Sequence, residues 1–178
     1  MKKFLLLVAL FLINQLHPYE NKIDLLSLYK DLHANPELSY QEFETSEKLA
    51  NLLESIGYEV TRNVGGNGVV ALLKNGNGKN IMFRADMDGL PVEEKTGARY
   101  ASQKKVTNLD GEEVFTMHAC GHDVHMTVLI GVAEYLFENK SQWQGNLILV
   151  LEPAEEVSGG ARNMIKDGLF TRFPRPDY

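Results

Sequence analysis

Apolar residues recur at helical spacing in four segments of the chain. The first runs from Ile23 to His33 and stops before Pro36, which forces the backbone out of a helix. Ser39 stands three residues before Glu42, a capping-box pattern that predicts the start of a second helix, and Gly57 is placed to end it. Two more helices are predicted over residues 124–136 and 160–166.

Four other segments have the pattern of strands. "YEVTRN" alternates apolar and polar residues, whereas "GVVALLK" and "NIMFRAD" are short apolar runs joined by the turn-rich "NGNGK". These two runs are expected to pair as a hairpin within a larger sheet. "GNLILVLEP" is continuously apolar, which is typical of a central strand buried on both faces. A long polar excursion is predicted between "DGLPVEE" and "LDGEEV".

Helices that alternate with buried strands predict an α/β layered fold. In such folds, ligands bind where strands end at their carboxyl side. "RADMD" and "EPAEE" each end a predicted strand, and "HACGHD" precedes a predicted helix. We therefore expect these three loops to converge at one edge of the sheet.

Composition restricts the class of partner. The chain has 178 residues, with 44% apolar residues, 24% charged residues and a formal net charge of −6. This balance is typical of a globular domain, and the negative charge argues against a general affinity for nucleic acid or anionic membranes.

The first residues have the layout of an export signal. Lys2 and Lys3 precede the apolar "FLLLVALFLI", which is too short for a stable membrane span. We expect residues 1–18 to be a signal peptide, although no small-x-small cleavage pattern follows, and we expect the protein to be periplasmic or secreted. A buried N-terminal helix is the alternative.

The stretch "MHACGHDVHM" contains the single cysteine of the chain and three of its five histidines. A lone cysteine cannot form a disulfide within the chain. Cys120 and His122 are two residues apart and form a donor pair suited to zinc, with cobalt or nickel as alternatives. His118 and His125 are close enough to support such ligands. A buried, inert cysteine beside solvent-facing histidines would explain the stretch equally well.

Carboxylates are concentrated at two further points. Glu155 and Glu156 follow the predicted central strand, so one can hold a metal while the other acts as a base on water. Acidic residues that merely favour the start of the next helix are the simpler explanation of this pair. Asp86 and Asp88 flank the end of another strand, where Asp88 can bind a cation or orient an imidazole. A polar turn is the alternative there.

Four stretches together resemble the metal-dependent amidohydrolases of the peptidase M20 family. They are "HANPELSYQEFETSEKLANLLESIGYEV", "FRADMDGLPVEE", "MHACGHDVHMTVLIGVAEYL" and "EPAEEVSGGARNMIKDGLF". The resemblance is strongest to the branch that contains N-acyl-amino-acid, hippurate and auxin-conjugate hydrolases. It extends from about Asp31 to the C-terminus, in the same order and without a large gap.

The resemblance implies a fold and a set of roles. Residues 19–178 would form the N-terminal part of a three-layer α/β/α catalytic domain of the zinc-exopeptidase type. Cys120, His122 and Glu156 match metal ligands of the branch, Glu155 matches the general base, and Asp88 matches the acidic residue that supports the metal site. Family members usually hold two divalent ions, zinc or manganese among them, and cleave an amide to release an acyl acid and an amino acid.

The resemblance also implies missing parts. Family chains are much longer, and their later segments supply two more histidine ligands and an inserted domain that usually mediates dimerisation. We therefore expect a truncated catalytic domain with weak or no activity. Two alternatives remain open: a non-catalytic metal-binding remnant, and a thiol hydrolase that uses Cys120 as nucleophile beside a histidine base.

Overall fold

The computed structural model describes residues 22–178 of the protein, so the predicted signal peptide lies outside the described residues. The helices are α1 (Leu25–Ala34), α2 (Phe43–Ile56), α3 (His122–Glu138), α4 (Gly160–Lys166) and α5 (Leu169–Arg172). The strands are β1 (Glu59–Thr61), β2 (Val69–Asn75), β3 (Asn80–Asp86), β4 (Lys105–Thr107), β5 (Glu113–Phe115) and β6 (Gly145–Glu152). The four predicted helices are all present, and α4 has the predicted bounds. No helix within residues 22–178 is long and apolar enough to cross a membrane.

The main sheet has the strand order β1-β2-β6-β3, with β6 in the interior. β6 pairs antiparallel with β2 and parallel with β3, over the full length of both neighbours. The predicted hairpin between β2 and β3 is therefore wrong, because β6 lies between them. The turn that joins β2 to β3 reverses the chain direction and leaves room for β6 between the two strands. A strand with a long apolar run, such as residues 147–151 of β6, buries more surface between two partners than it would at an edge.

Side chains of β6 alternate between two apolar layers. Leu147, Leu149 and Leu151 face the layer formed by α1, α2 and α3. Ile148 and Val150 face the opposite layer, which contains α4 and α5. Helices therefore cover both faces of the sheet, and the predicted three-layer α/β/α arrangement is confirmed. Both helical layers pack against the central strand β6. The position of β6 therefore determines where the loop at its carboxyl end lies.

Two local predictions differ from the structure. α2 begins at Phe43 rather than after Ser39, and no capping box forms, because both side chains of that pattern serve the loops at the strand ends. Ser39 Oγ donates a hydrogen bond to Asp88 Oδ2 at 2.6 Å, and Glu42 accepts from the backbone of Ala154. The predicted polar excursion also contains a small hairpin, in which β4 pairs antiparallel with β5.

Candidate metal centre

Three chain segments meet at the carboxyl edge of the sheet, as the sequence predicted. β3 ends at Asp86, β6 is followed by Glu155 and Glu156, and His122 is the first residue of α3. Asp86 and Glu152 are paired across the parallel β3–β6 ladder, so the loops that follow the two strands start side by side. The convergence therefore follows from the strand order.

The Nε2 atom of His122 faces three carboxylates. It lies 4.0 Å from Asp86 Oδ2, 3.7 Å from Glu155 Oε2 and 3.9 Å from Glu156 Oε1. Donor atoms around a tetrahedral zinc ion, with bonds of about 2.0–2.1 Å, are roughly 3.4 Å apart. The separations in this chain exceed that value by only a few tenths of an ångström. His122, Glu155 and Glu156 place donor atoms within 4.8 Å of one another, so small side-chain movements suffice to close these three on one ion.

The opposite nitrogen of His122 is held by the backbone. Nδ1 lies 2.8 Å from the carbonyl oxygen of Asp88, and a carbonyl oxygen can only accept, so Nδ1 carries the hydrogen. In the neutral ring this places the lone pair on Nε2, where the carboxylates are. A metal-ligating histidine is commonly oriented in this way by a partner at its other nitrogen.

Electrostatics at His122 favour a positive charge. Burial alone would lower its pKa, but the hydrogen bonds to Asp88 and the charges of Asp86 and Asp88 raise the pKa of His122 to about 9. In the absence of an ion, the ring therefore carries a proton at neutral pH. A divalent cation that displaces this proton would satisfy the same carboxylates with more charge.

Asp88 is almost completely buried and forms hydrogen bonds with residues of the neighbouring segments. Its Oδ2 accepts hydrogen bonds from Ser39 Oγ at 2.6 Å and from the backbone N–H of Glu156 at 3.1 Å. Burial opposes ionisation of Asp88, but its hydrogen bonds with His122 and Ser39 lower the pKa of the carboxyl group. Asp88 thus links three segments and lies at the Nδ1 side of His122, 3.4 Å from that nitrogen.

Cys120 and His118 occupy different surroundings. Cys120 is exposed, and a hydrogen bond with Glu156, followed by burial and neighbouring negative charge, raises the pKa of its thiol. Gly121 has a positive φ of 79°, which glycine adopts without strain, and separates Cys120 from His122 by a sharp turn. Among residues 22–178, the groups of three donors within 4.8 Å of one another include His122 but not Cys120. His118 is buried, and burial lowers its pKa to about 4.

The residues fit a divalent ion. Glu156 Oε1 is buried and finds no hydrogen-bond donor in the described part of the chain, although it lies 3.9 Å from His122 Nε2. A buried carboxylate oxygen without a partner is costly unless a cation or proton satisfies it. Imidazole, carboxylate and thiolate are also the ligand types that zinc prefers.

Two buried side chains whose roles at the site the sequence did not indicate hold the loops of the centre. Glu42 Oε1 accepts from the N–H of Ala154 at 2.7 Å, where the backbone has a positive φ of 48° just before Glu155. His33 places its two ring nitrogens against Asp123 at 2.6 Å and Glu94 at 3.0 Å, which anchors the first turn of α3. Neither role has a local sequence signal, since both partners are distant along the chain.

The fold and the donor set define an α/β/α domain with a candidate divalent-metal centre at the carboxyl edge of its sheet. The sequence profile described as peptidase family M20/M25/M40 matches residues 82–178. The chain belongs to this family, and the resemblance found in its motifs is confirmed.

Relatives of known name are longer enzymes. The chain is 47% identical over 143 residues to a hippurate hydrolase of Campylobacter jejuni, covering 80% of this chain and 34% of the relative. It is 40% identical over 145 residues to the N-acetyl-L-cysteine deacetylase of Bacillus subtilis, covering 81% of this chain and 33% of the relative. The chain thus spans about a third of the length of these relatives.

A solved relative shares the fold. A dinuclear metal-binding peptidase of the M20 family from Bacillus subtilis aligns with a TM-score of 0.72 and 36% identity, over 82% of this chain and 38% of the other. At this identity the match extends beyond the fold to the family, in agreement with the sequence profile.

Proposed function

We propose that the chain carries the N-terminal part of the active site of a metal-dependent amidohydrolase. Its substrates are N-acyl amino acids or related small amide and peptide conjugates. The observation that carries this proposal is the group of three carboxylates within 4.0 Å of one imidazole nitrogen at the carboxyl edge of the sheet. The names of the relatives support the substrate class.

Three side chains are proposed to hold metal. His122 would donate through Nε2 and Glu156 through Oε1, while Cys120, whose thiol pKa is raised by the neighbouring Glu156, would join as a thiolate. Zinc or manganese suits these donors, cobalt or nickel are alternatives, and a complete site would hold two ions. Bound ions supply Lewis acidity toward the amide carbonyl and toward water.

Glu155 is proposed as the general base. Its side chain is 38% exposed, whereas that of Glu156 is 16% exposed, so Glu155 is the more accessible of the two to solvent and substrate. In this assignment Glu155 takes a proton from the attacking water and returns it to the nitrogen of the leaving amino acid.

Asp88 is proposed as a positioning residue. Its carbonyl orients His122, and its carboxylate holds the backbone of Glu156, so one residue fixes two proposed ligands. It faces the Nδ1 side of the ring, away from the atom proposed to bind metal.

The thiol-hydrolase alternative has less support. A nucleophilic cysteine needs a lowered pKa, which a nearby positive charge provides. Carboxylates surround Cys120 instead and raise the pKa of its thiol. Alkylation of the thiol before and after zinc loading tests this point: protection by zinc favours a ligand, and unchanged fast alkylation favours a nucleophile.

The test of the function uses a chimera in which residues 22–178 replace the matching third of the Campylobacter jejuni hippurate hydrolase. We expect release of glycine from hippurate, loss of activity with a chelator, and a kcat lower by about 10²–10⁴ in Glu155→Gln. Glu156→Gln should instead reduce the zinc content. Turnover retained in Glu155→Gln or after chelation would refute the assignment.

Residues 1–178 alone are proposed to have little or no activity, because the family's other histidine ligands belong to a part of the relatives that this chain does not match. Measurable hydrolysis of an N-acyl amino acid by the purified chain would contradict this. Export is proposed from Lys2, Lys3 and the apolar run that follows. N-terminal sequencing of secreted material tests cleavage, and an intact Met1 would count against it.

A further inference from the structure

His125 and Asp86 form a second donor group with His122. His125 lies three residues after His122, so both side chains project from the same face of the first turn of α3. Their rings are stacked with centroids 5.4 Å apart. Asp86 Oδ2 lies 3.6 Å from His125 Nδ1 and 4.0 Å from His122 Nε2. All three donor atoms lie within 4.8 Å of one another.

We propose that Asp86 and His125 bind a divalent cation together with His122, in a position separate from that between His122 and the two glutamates. His125 has no role in the function proposed above, and Asp86 enters it only as one of the three carboxylates near His122 Nε2. Two imidazoles and one carboxylate are a donor set that holds zinc and leaves coordination positions open for water or substrate.

The burial of the donors supports this position. Asp86 is 5% exposed and is held in place at the end of β3, whereas the side chain of His125 is half-exposed. An ion could therefore reach the group from solvent and meet a carboxylate that is already oriented. An open groove adjoins Asp86 and His125, and its apolar part is formed by Phe83, Val128, Leu129 and Val132.

The positively charged side chain of Arg84 lies beside the carboxylate of this group. Its Nη1 lies 3.0 Å from Asp86 Oδ1 and 2.6 Å from Glu152 Oε2. Arg84 therefore forms an ion pair with Oδ1 of Asp86, although that oxygen accepts no hydrogen bond within residues 22–178, and Oδ2 faces the two histidines. Glu152 offsets the charge of the guanidinium, so the repulsion between Arg84 and a bound cation is reduced.

The two positions compete for one atom. His122 Nε2 has a single lone pair and can serve only one ion at a time. An ion bound by Asp86, His122 and His125 takes all three protein ligands from β3 and α3. An ion bound by His122, Glu155 and Glu156 takes two of its ligands from the loop after β6. An ion held by Asp86, His122 and His125 has no thiolate ligand, which gives it a distinct spectroscopic signature.

The test is a cobalt titration of the 178-residue chain, followed by visible and near-ultraviolet absorption. We expect His125→Gln and Asp86→Asn each to weaken cobalt binding by at least about tenfold, since the loss of even an outer partner of a metal site costs that much. The matched control is Val124→Gln, which places the same side chain on the same exposed turn and should bind as the wild type does. Circular dichroism confirms that each variant is folded, and His125→Gln alone suffices if Asp86→Asn does not fold.

The outcomes separate the two proposals. Cobalt binding without a thiolate charge-transfer band, and weakened by His125→Gln, supports the position at Asp86 and His125. If binding shows that band and weakens only in Cys120→Ser or Glu156→Gln, this inference is overturned while the proposed function stands. If the folded wild type binds no cobalt, this inference is overturned, whereas the proposed function is decided by the chimera.

Discussion

Replacing Glu42 with alanine should weaken both the fold and the metal centre. Glu42 is fully buried and accepts three hydrogen bonds, from Tyr40 N at 3.0 Å, Ala154 N at 2.7 Å and Asn67 Nδ2 at 3.0 Å. The bond to Ala154 connects the start of α2 to the turn that carries Glu155. Substitution of Glu42 therefore tests whether that turn depends on the connection.

The magnitude follows from those three bonds. A hydrogen bond to a charged group contributes about 1.5–3 kcal/mol, so the three together would contribute roughly 4.5–9 kcal/mol. Burial of the carboxylate opposes them with a desolvation cost of several kcal/mol, and burial raises the pKa of Glu42. We expect Glu42→Ala to lower the free energy of unfolding by about 3 kcal/mol. Glu42→Gln should cost less, because it keeps the Oε1 acceptor for both backbone N–H groups.

The assay is urea unfolding followed by circular dichroism, with a zinc titration of each folded variant. Ala154 has a strained positive φ, so loss of its acceptor should release the turn and weaken zinc binding in Glu42→Ala. Glu44→Gln, on the exposed first turn of α2, is the matched control. If Glu42→Ala costs less than about 1 kcal/mol, the value of one ordinary hydrogen bond, the reasoning is wrong. Unchanged zinc affinity would refute the link to the turn.

Two further predictions concern the core and the pH dependence of stability. Leu149 is fully buried in β6, so Leu149→Ala should lower the free energy of unfolding by about 3 kcal/mol in urea melts, and a loss below about 1 kcal/mol would refute its central place. Burial lowers the pKa of His118 to about 4 from its ordinary 6.5, so the unfolded state binds the extra proton between these values and stability falls as the pH falls through that window. Relative to His118→Leu, the wild type should lose about 2 kcal/mol between pH 7 and pH 5, and equal pH profiles would contradict the burial argument.

Patterns with a local physical cause could be predicted from the sequence. The helix over 160–166 follows from apolar spacing between glycines, and β6 follows from an apolar run too short for a helix in its context. The meeting of the loops that carry Asp88, His122 and Glu155 follows from a rule about strand ends. Each of these predictions needed only the order and chemistry of neighbouring residues.

Roles that depend on distant partners could not be predicted in the same way. Ser39 and Glu42 have the spacing of a capping box, yet their oxygens bind Asp88 and Ala154, which are 49 and 112 residues away. The local cap and the distant bonds use the same atoms, so the sequence alone could not decide between them. In the structure, the distant partners are buried groups that would otherwise lose their hydrogen bonds, which favours the distant contacts.

The incorrect hairpin prediction and the observed convergence of the loops have one physical cause. Had β2 and β3 paired directly, Asp86 would lie beside a strand running in the opposite direction, whose loop leaves the far edge of the sheet. Because β6 lies between them and runs parallel to β3, Asp86 pairs with Glu152, and the loops that carry Asp88 and Glu156 leave the same edge. The hydrogen bond from Glu156 N to Asp88 Oδ2 closes that pair of loops. The insertion of β6 therefore brings the carboxylates of both loops to His122, and a metal centre at this edge depends on it.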